Sequence, residues 1–130
     1  MRNILLFIIF ITLLLVIGGV FINYVRESET TSIPQELLVA PEKIEYYWSE
    51  TCPHCANVEE FMQGWESKEK IQMDKFEVNE SVDNAQKFIA RGTYCKIPRS
   101  KLGVPLLITP EGKCLTGDEP IIEYFKNLEL

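Results

Sequence analysis

The chain has 130 residues, four cysteines, one histidine and a formal net charge of −6, which leaves room for one small domain. All nineteen acidic side chains lie after residue 26 while Arg2 and Arg26 take two of the thirteen basic ones, so the later part carries about −8. That balance argues against a nucleic-acid partner.

Ile4 to Ile22 is a run of nineteen uncharged residues, and as a helix it would reach roughly 28 Å, close to the thickness of a bilayer core. It exceeds the apolar stretch of about 7 to 15 residues in a signal peptide, and no small-x-small cleavage site follows it. Residues 1–25 are therefore read as an N-terminal membrane anchor, with 4–22 in the membrane, the alternative being a cleaved signal peptide. A short basic tail, Met1-Arg2-Asn3, precedes the run as in a signal anchor. This predicts a single-pass protein of the cytoplasmic membrane whose C-terminal domain lies on the extracytoplasmic side, periplasmic or extracellular. Four cysteines in a small exported domain suit an oxidising compartment.

Residues 26–41, RESETTSIPQELLVAP, read as a linker that is polar and then briefly apolar, and the folded domain is expected over 42–130. Glu42 to Trp48 is β-branched and aromatic and predicts a first strand. Val58, Phe61, Met62 and Trp65 then recur at spacings of three and four, a helical period that Gly64 weakens but need not end. Met73 to Val78 predicts a second strand. Val82 to Arg91 predicts a helix with Ser81 as N-cap, Val82, Ala85, Phe88 and Ile89 on one face, and Gly92 as its stop. Leu106 to Thr109 and Cys114-Leu115 form a hairpin around Pro110-Glu111-Gly112-Lys113. Asp118 is the expected N-cap of a last helix with Ile121, Ile122, Phe125 and Leu128 as its buried stripe. The order is β-α-β-α-β-β-α.

Between the first strand and the first helix stands Cys52-Pro53-His54-Cys55. A bare C-x-x-C is compatible with a metal clip, a staple or a redox pair. A bridge closing so short a loop would constrain the unfolded chain little, which disfavours the staple. A structural zinc site needs four ligands, whereas Cys95 and Cys114 have eighteen residues between them and His54 is the single histidine. A c-type haem would need histidine where Ala56 stands. Copper on two thiolates stays open, so the alternative to redox chemistry is a non-enzymatic copper carrier or a binding module of a membrane complex.

With C-x-x-C after the first strand and Gly103-Val104-Pro105 before the third, the chain resembles the thioredoxin superfamily in its minimal, glutaredoxin-like form over about residues 42 to 128. The resemblance implies an α/β thioredoxin-like fold, a central mixed four-stranded sheet flanked by helices. It also implies that Cys52 sits at a helix N-terminus and that Pro105 is cis and lies against the disulfide, with Val104 before it. Pro53-His54 is the dipeptide of DsbA-type disulfide oxidases. The chain departs from those enzymes in having no room for their helical insertion, and in placing Tyr46 where an acidic residue stands six positions before the first cysteine. Glu45, one residue earlier, falls on the opposite face by strand alternation.

Disulfide exchange needs an accessible thiolate, and the unpaired N–H groups of a helix start favour an anion. Cys52 is thus the expected attacking sulfur and Cys55 the resolving one. Pro53 and His54 tune the pair, and Val104 and Pro105 dock extended substrate backbone. The expected activity is thiol–disulfide oxidoreduction on protein thiols or disulfides of exported proteins, coupled to a membrane or soluble redox partner. No cofactor is expected beyond the Cys52–Cys55 disulfide and no metal, and the direction, oxidase against reductase or isomerase, stays open. If that pair closes on itself, Cys95 and Cys114 make the remaining bridge, expected as structural, with a second redox pair as the alternative. Lys87, Arg91, Lys96, Arg99 and Lys101 read as a solvated helix end and loop, or as a basic rim near the site. Tyr47 and Trp48 either line a substrate surface or fill the core.

Overall fold

The computed structural model describes residues 2–27 and 34–128, and the chain divides into two compact units, Met1–Ser32 and Ile33–Leu130. In the first unit the apolar run lies in one helix, α1 (Arg2–Glu27), with Ile4, Phe7, Phe10 and Leu15 exposed. The burial of its side chains is described only at 3, 4 and 6–19, and among the described residues no helix is long and apolar enough to cross a membrane. The expected span therefore rests on the sequence run from Ile4 to Ile22, part of which lies outside those side chains.

The second unit is built on four strands, β1 (Ile44–Trp48), β2 (Met73–Glu77), β3 (Leu106–Ile108) and β4 (Cys114–Thr116), ordered β2-β1-β3-β4. β1 runs parallel to β2, with Tyr46 opposite Lys75, and antiparallel to β3, which pairs antiparallel with β4. A parallel neighbour requires a long crossover, and α2 (Pro53–Gly64) supplies it; α3 (Val82–Tyr94) and α4 (Asp118–Lys126) complete the set. The strand order, the mixed pairing and the flanking helices are those of the expected thioredoxin-like fold.

Because successive strand residues face opposite ways, β1 serves two cores. Ile44 and Tyr46 join Val58, Leu107, Ile121 and Phe125 on one side, while Tyr47 joins Leu106 and Ile108 on the other. Tyr47 is fully buried, its ring 5.0 Å from Phe76 and 5.8 Å from Phe88, so it belongs to the core and not to a substrate surface.

Several local expectations change. β1 begins at Ile44 rather than Glu42. Gly64 does end α2, and Trp65 becomes its C-cap while its ring packs 5.3 Å from Phe125. Gly92 does not stop α3, which continues to Tyr94. The helix closes in a Schellman turn with Lys96 at φ 56°, Ile97 N–H donating to Gly92 O and Lys96 N–H to Thr93 O. Gly92 instead permits close packing, since a Cβ there would meet Leu102 Cδ2 at 2.6 Å. Val82, expected on the buried face, is 75% exposed. Asp118 is the first residue of α4, not its cap; Gly117, at φ 86°, holds the cap position.

Arg91, expected among solvated basic residues, is buried on α3. Its guanidinium grips Glu45 of β1 through Nε–Oε2 at 2.6 Å and Nη2–Oε1 at 2.7 Å. Nη1 donates to the carbonyls of Leu37 and Val39, tying the end of the expected linker to the domain. Burial works against the guanidinium charge, but the Glu45 carboxylate outweighs it and leaves Arg91 more firmly protonated than usual. Cys95, capping α3, is disulfide-bonded to Cys114 of β4 across 19 positions, a closure contributing about 3 kcal/mol on the chain-entropy model.

Candidate active site

β1 runs out at Trp48, and a short loop delivers Cys52 to the N-cap of α2. Pro53 stands at the first helical position, where its missing N–H costs nothing and its fixed φ suits a helix. The N–H of Cys55 points at Cys52 Sγ over 3.2 Å, the place a serine or aspartate hydroxyl or carboxylate takes in an ordinary N-cap. A thiolate accepts that bond more strongly than a thiol.

The loop is held from the β2 end. Glu77 accepts from the backbone N–H groups of Asn79 at 2.6 Å and Glu50 at 3.3 Å, and Asn79 Nδ2 donates to Ser49 Oγ at 2.8 Å. Partial desolvation opposes the Glu77 charge, but these donors outweigh it and hold its carboxyl below the ordinary value. Nothing in the local pattern of residues 77–79 marks them as supports for a cysteine twenty-five positions earlier.

The Gly103-Val104-Pro105 loop reaches the same place from β3. The Val104–Pro105 peptide is cis, and Cys52 Sγ lies 3.5 Å from Val104 O, to which its S–H can donate. Val104 N–H takes part in no backbone hydrogen bond among the described residues.

The pair is asymmetric. Cys52 is partly exposed, whereas Cys55 is 1% exposed. Desolvation, reinforced by its hydrogen bond with Cys52, pushes the Cys55 thiol up to about 12. In the reduced native protein at neutral pH, iodoacetamide is therefore expected to alkylate Cys52 and to spare Cys55 until the chain is unfolded, as read by peptide mass spectrometry. A thiol raised in the folded state stabilises the fold below its ordinary value of about 9 and ceases to do so as pH climbs through about 12. The reduced protein should accordingly lose stability across that interval more steeply than a Cys55→Ala variant.

His54 does not bond the sulfur. Its Nδ1 lies 3.0 Å from Asp118 Oδ1 at the start of α4, and Asn57 Nδ2 donates to the other carboxylate oxygen. The Asn57 and His54 bonds hold the Asp118 carboxyl below its ordinary value. Asp118 and Asn57 are thus members of the site that the sequence did not mark, because 64 positions separate His54 from Asp118 and the contact is purely tertiary. Among the described residues no cluster of three or more His, Cys, Asp or Glu side chains is placed to hold a metal. Of the basic residues from 87 to 101, Lys87 pairs with Asp83 and Arg91 is buried. The depression beside the motif is lined by Glu50, Glu77 and Glu80 together with Trp48.

A solved structure of wheat glutaredoxin is similar to this chain. The identity is 19% and the TM-score 0.48, over 73% of this chain and 84% of that one. No family model and no curated protein matches the sequence.

Proposed function

We propose that the protein is a thiol–disulfide oxidoreductase, tethered to the cytoplasmic membrane by residues 4–22 and acting on exported proteins on the extracytoplasmic side. The observation that carries the chemistry is the placement of a partly exposed Cys52 Sγ at a helix N-cap beside the Val104 carbonyl, with a buried Cys55 one turn into the helix. The tether rests on the nineteen-residue apolar run.

In the oxidising direction a substrate thiolate attacks Cys52 of the Cys52–Cys55 disulfide. Cys55 leaves as the thiol, taking a proton, and a mixed disulfide joins Cys52 to substrate. A second substrate thiolate then attacks the substrate sulfur, forming its disulfide and releasing the Cys52 thiolate to the Cys55 N–H. The reducing direction reverses these steps, with Cys55 attacking Cys52 to expel the substrate thiol. Val104 N–H offers main-chain pairing to extended substrate, independent of its side chains. No cofactor beyond the dithiol takes part, and the electrons pass on to a membrane or soluble partner.

The full chain in detergent is expected to reduce insulin or to reoxidise a reduced, denatured disulfide protein. No turnover in either assay, with both thiols titratable, would defeat the reading. The direction follows from the reduction potential of the pair, near about −120 mV for an oxidase and about −270 mV for a reductase.

A further inference from the structure

Thiol exchange needs the substrate sulfur as its thiolate, and neither cysteine of the pair removes that proton. An ordinary thiol, with a pKa of about 8.5, is only about 3% ionised at pH 7, so a proton acceptor at the site has roughly thirtyfold to gain. The group available is the His54 imidazole.

The ring is fixed from outside its own helix. His54 Nδ1 lies 3.0 Å from Asp118 Oδ1, and Asn57 Nδ2 donates to Oδ2, so the carboxylate of α4 is engaged by α2 through both oxygens. An ionised carboxylate only accepts, and these two bonds favour its ionised form, so Nδ1 carries the proton between them. In the neutral ring Nε2 is then bare. It makes no hydrogen bond among the described residues, and the His54 side chain is 68% exposed where that of Asp118 is 17%.

The same corner closes on the reacting sulfur. Gly117, the residue before Asp118, donates its N–H to Pro105 O at 3.1 Å. Val104, the residue before Pro105, presents its carbonyl to Cys52 Sγ at 3.5 Å. Cys52, His54, Asp118, Gly117, Pro105 and Val104 therefore form a closed circuit, with the imidazole in the first turn of α2, two residues from the sulfur at its cap.

Resting on the thiol-exchange reading, we propose that His54 Nε2 takes the proton from the substrate thiol as it attacks Cys52, directly or through one water, and that Asp118 and Asn57 are positioning residues that hold the ring in the required tautomer. The substrate S–H proton passes to Nε2, and the electron pair it leaves forms the bond to Cys52 Sγ. The Cys52–Cys55 bond breaks. Cys55 leaves with that electron pair and takes a proton from solvent, and the imidazolium returns its own proton to solvent. The substrate sulfur is oxidised and the Cys55 sulfur reduced. The ring is open to solvent while Cys55 is 1% exposed, so the ring serves the incoming thiol and not the buried sulfur.

Two nucleophiles of one shape separate proton removal from everything else: cysteamine, a thiol largely protonated at pH 7, and selenocysteamine, whose selenol is already ionised there. The oxidised full chain in detergent is mixed with each and quenched in acid, and loss of the Cys52–Cys55 disulfide is followed by peptide mass spectrometry. In Asp118→Asn the amide NH2 can donate to Nδ1 and hold the opposite tautomer. The ratio of the cysteamine rate to the selenocysteamine rate is expected to fall about tenfold in Asp118→Asn and in His54→Ala, and no further when the two are combined. An unchanged ratio in either single variant, including one in which both nucleophiles slow together, overturns the inference. So does a further fall when Asp118→Asn is added to His54→Ala. A wild-type Cys52–Cys55 disulfide that resists both nucleophiles overturns the exchange reading beneath it.

Discussion

A Cys55→Ser variant is expected to accumulate a covalent adduct with its substrate, whereas Cys52→Ser forms none and falls to the uncatalysed rate of exchange. The asymmetry follows from access and from helix position. Cys52 is partly exposed at the N-cap of α2, where the Cys55 N–H supports its thiolate, so it meets incoming sulfur. Cys55 is buried behind it and can react only with what Cys52 already carries. Replacing Cys55 with serine leaves an alcohol, a poor nucleophile without a nearby base, so the mixed disulfide on Cys52 persists. Non-reducing gels and intact mass after mixing with a disulfide-containing protein would show the adduct. Wild-type exchange in Cys52→Ser, or an adduct mapped to Cys55, would refute the assigned roles.

The largest stability effect is expected at Arg91, far from any sulfur. Its side chain is 2% exposed and that of Glu45 is 13% exposed, so neither charge is well solvated without the other. The Tyr47 hydroxyl also donates to Glu45 at 3.0 Å. Arg91→Ala would strand the Glu45 carboxylate and free the carbonyls of Leu37 and Val39 from their donor. Breaking a buried pair in this way costs about 3 to 5 kcal/mol, a large part of the stability of a domain this size. Urea unfolding should show the midpoint falling at an unchanged slope. A loss below about 1 kcal/mol would mean that the pair is solvated. Glu45→Gln should cost less, since an amide oxygen still accepts from the guanidinium.

Arg91 also shows where reading the sequence reached its limit. A basic residue in a stretch without acids looks solvent-facing, because its partner Glu45 is 46 positions away and on a strand that otherwise reads as apolar. Pleat alternation, a local rule, does put Glu45 on the face opposite Tyr46, where it meets Arg91 and the Tyr47 hydroxyl. Strands and helices were legible to within a few residues wherever periodicity was strong. Their ends were not: Gly92 looks like a stop, yet the helix runs on to Tyr94, and Leu102 of a later loop packs where a side chain at Gly92 would stand.

The site divides in the same way. The C-x-x-C spacing, the proline at the start of the helix and the Gly103-Val104-Pro105 loop are all written in the chain, and they suffice to expect Cys52 at a helix N-terminus with a proline loop nearby. The sequence by itself therefore determined the element order, the pair of sulfurs and the apolar run at the start, since each depends on residues close together. Only the tertiary structure decided that His54 turns to Asp118, that Glu77 and Asn79 brace the loop, and that Arg91 closes on Glu45. Each of these is a contact between elements, set by how helices cross the sheet, and no spacing along the chain encodes it.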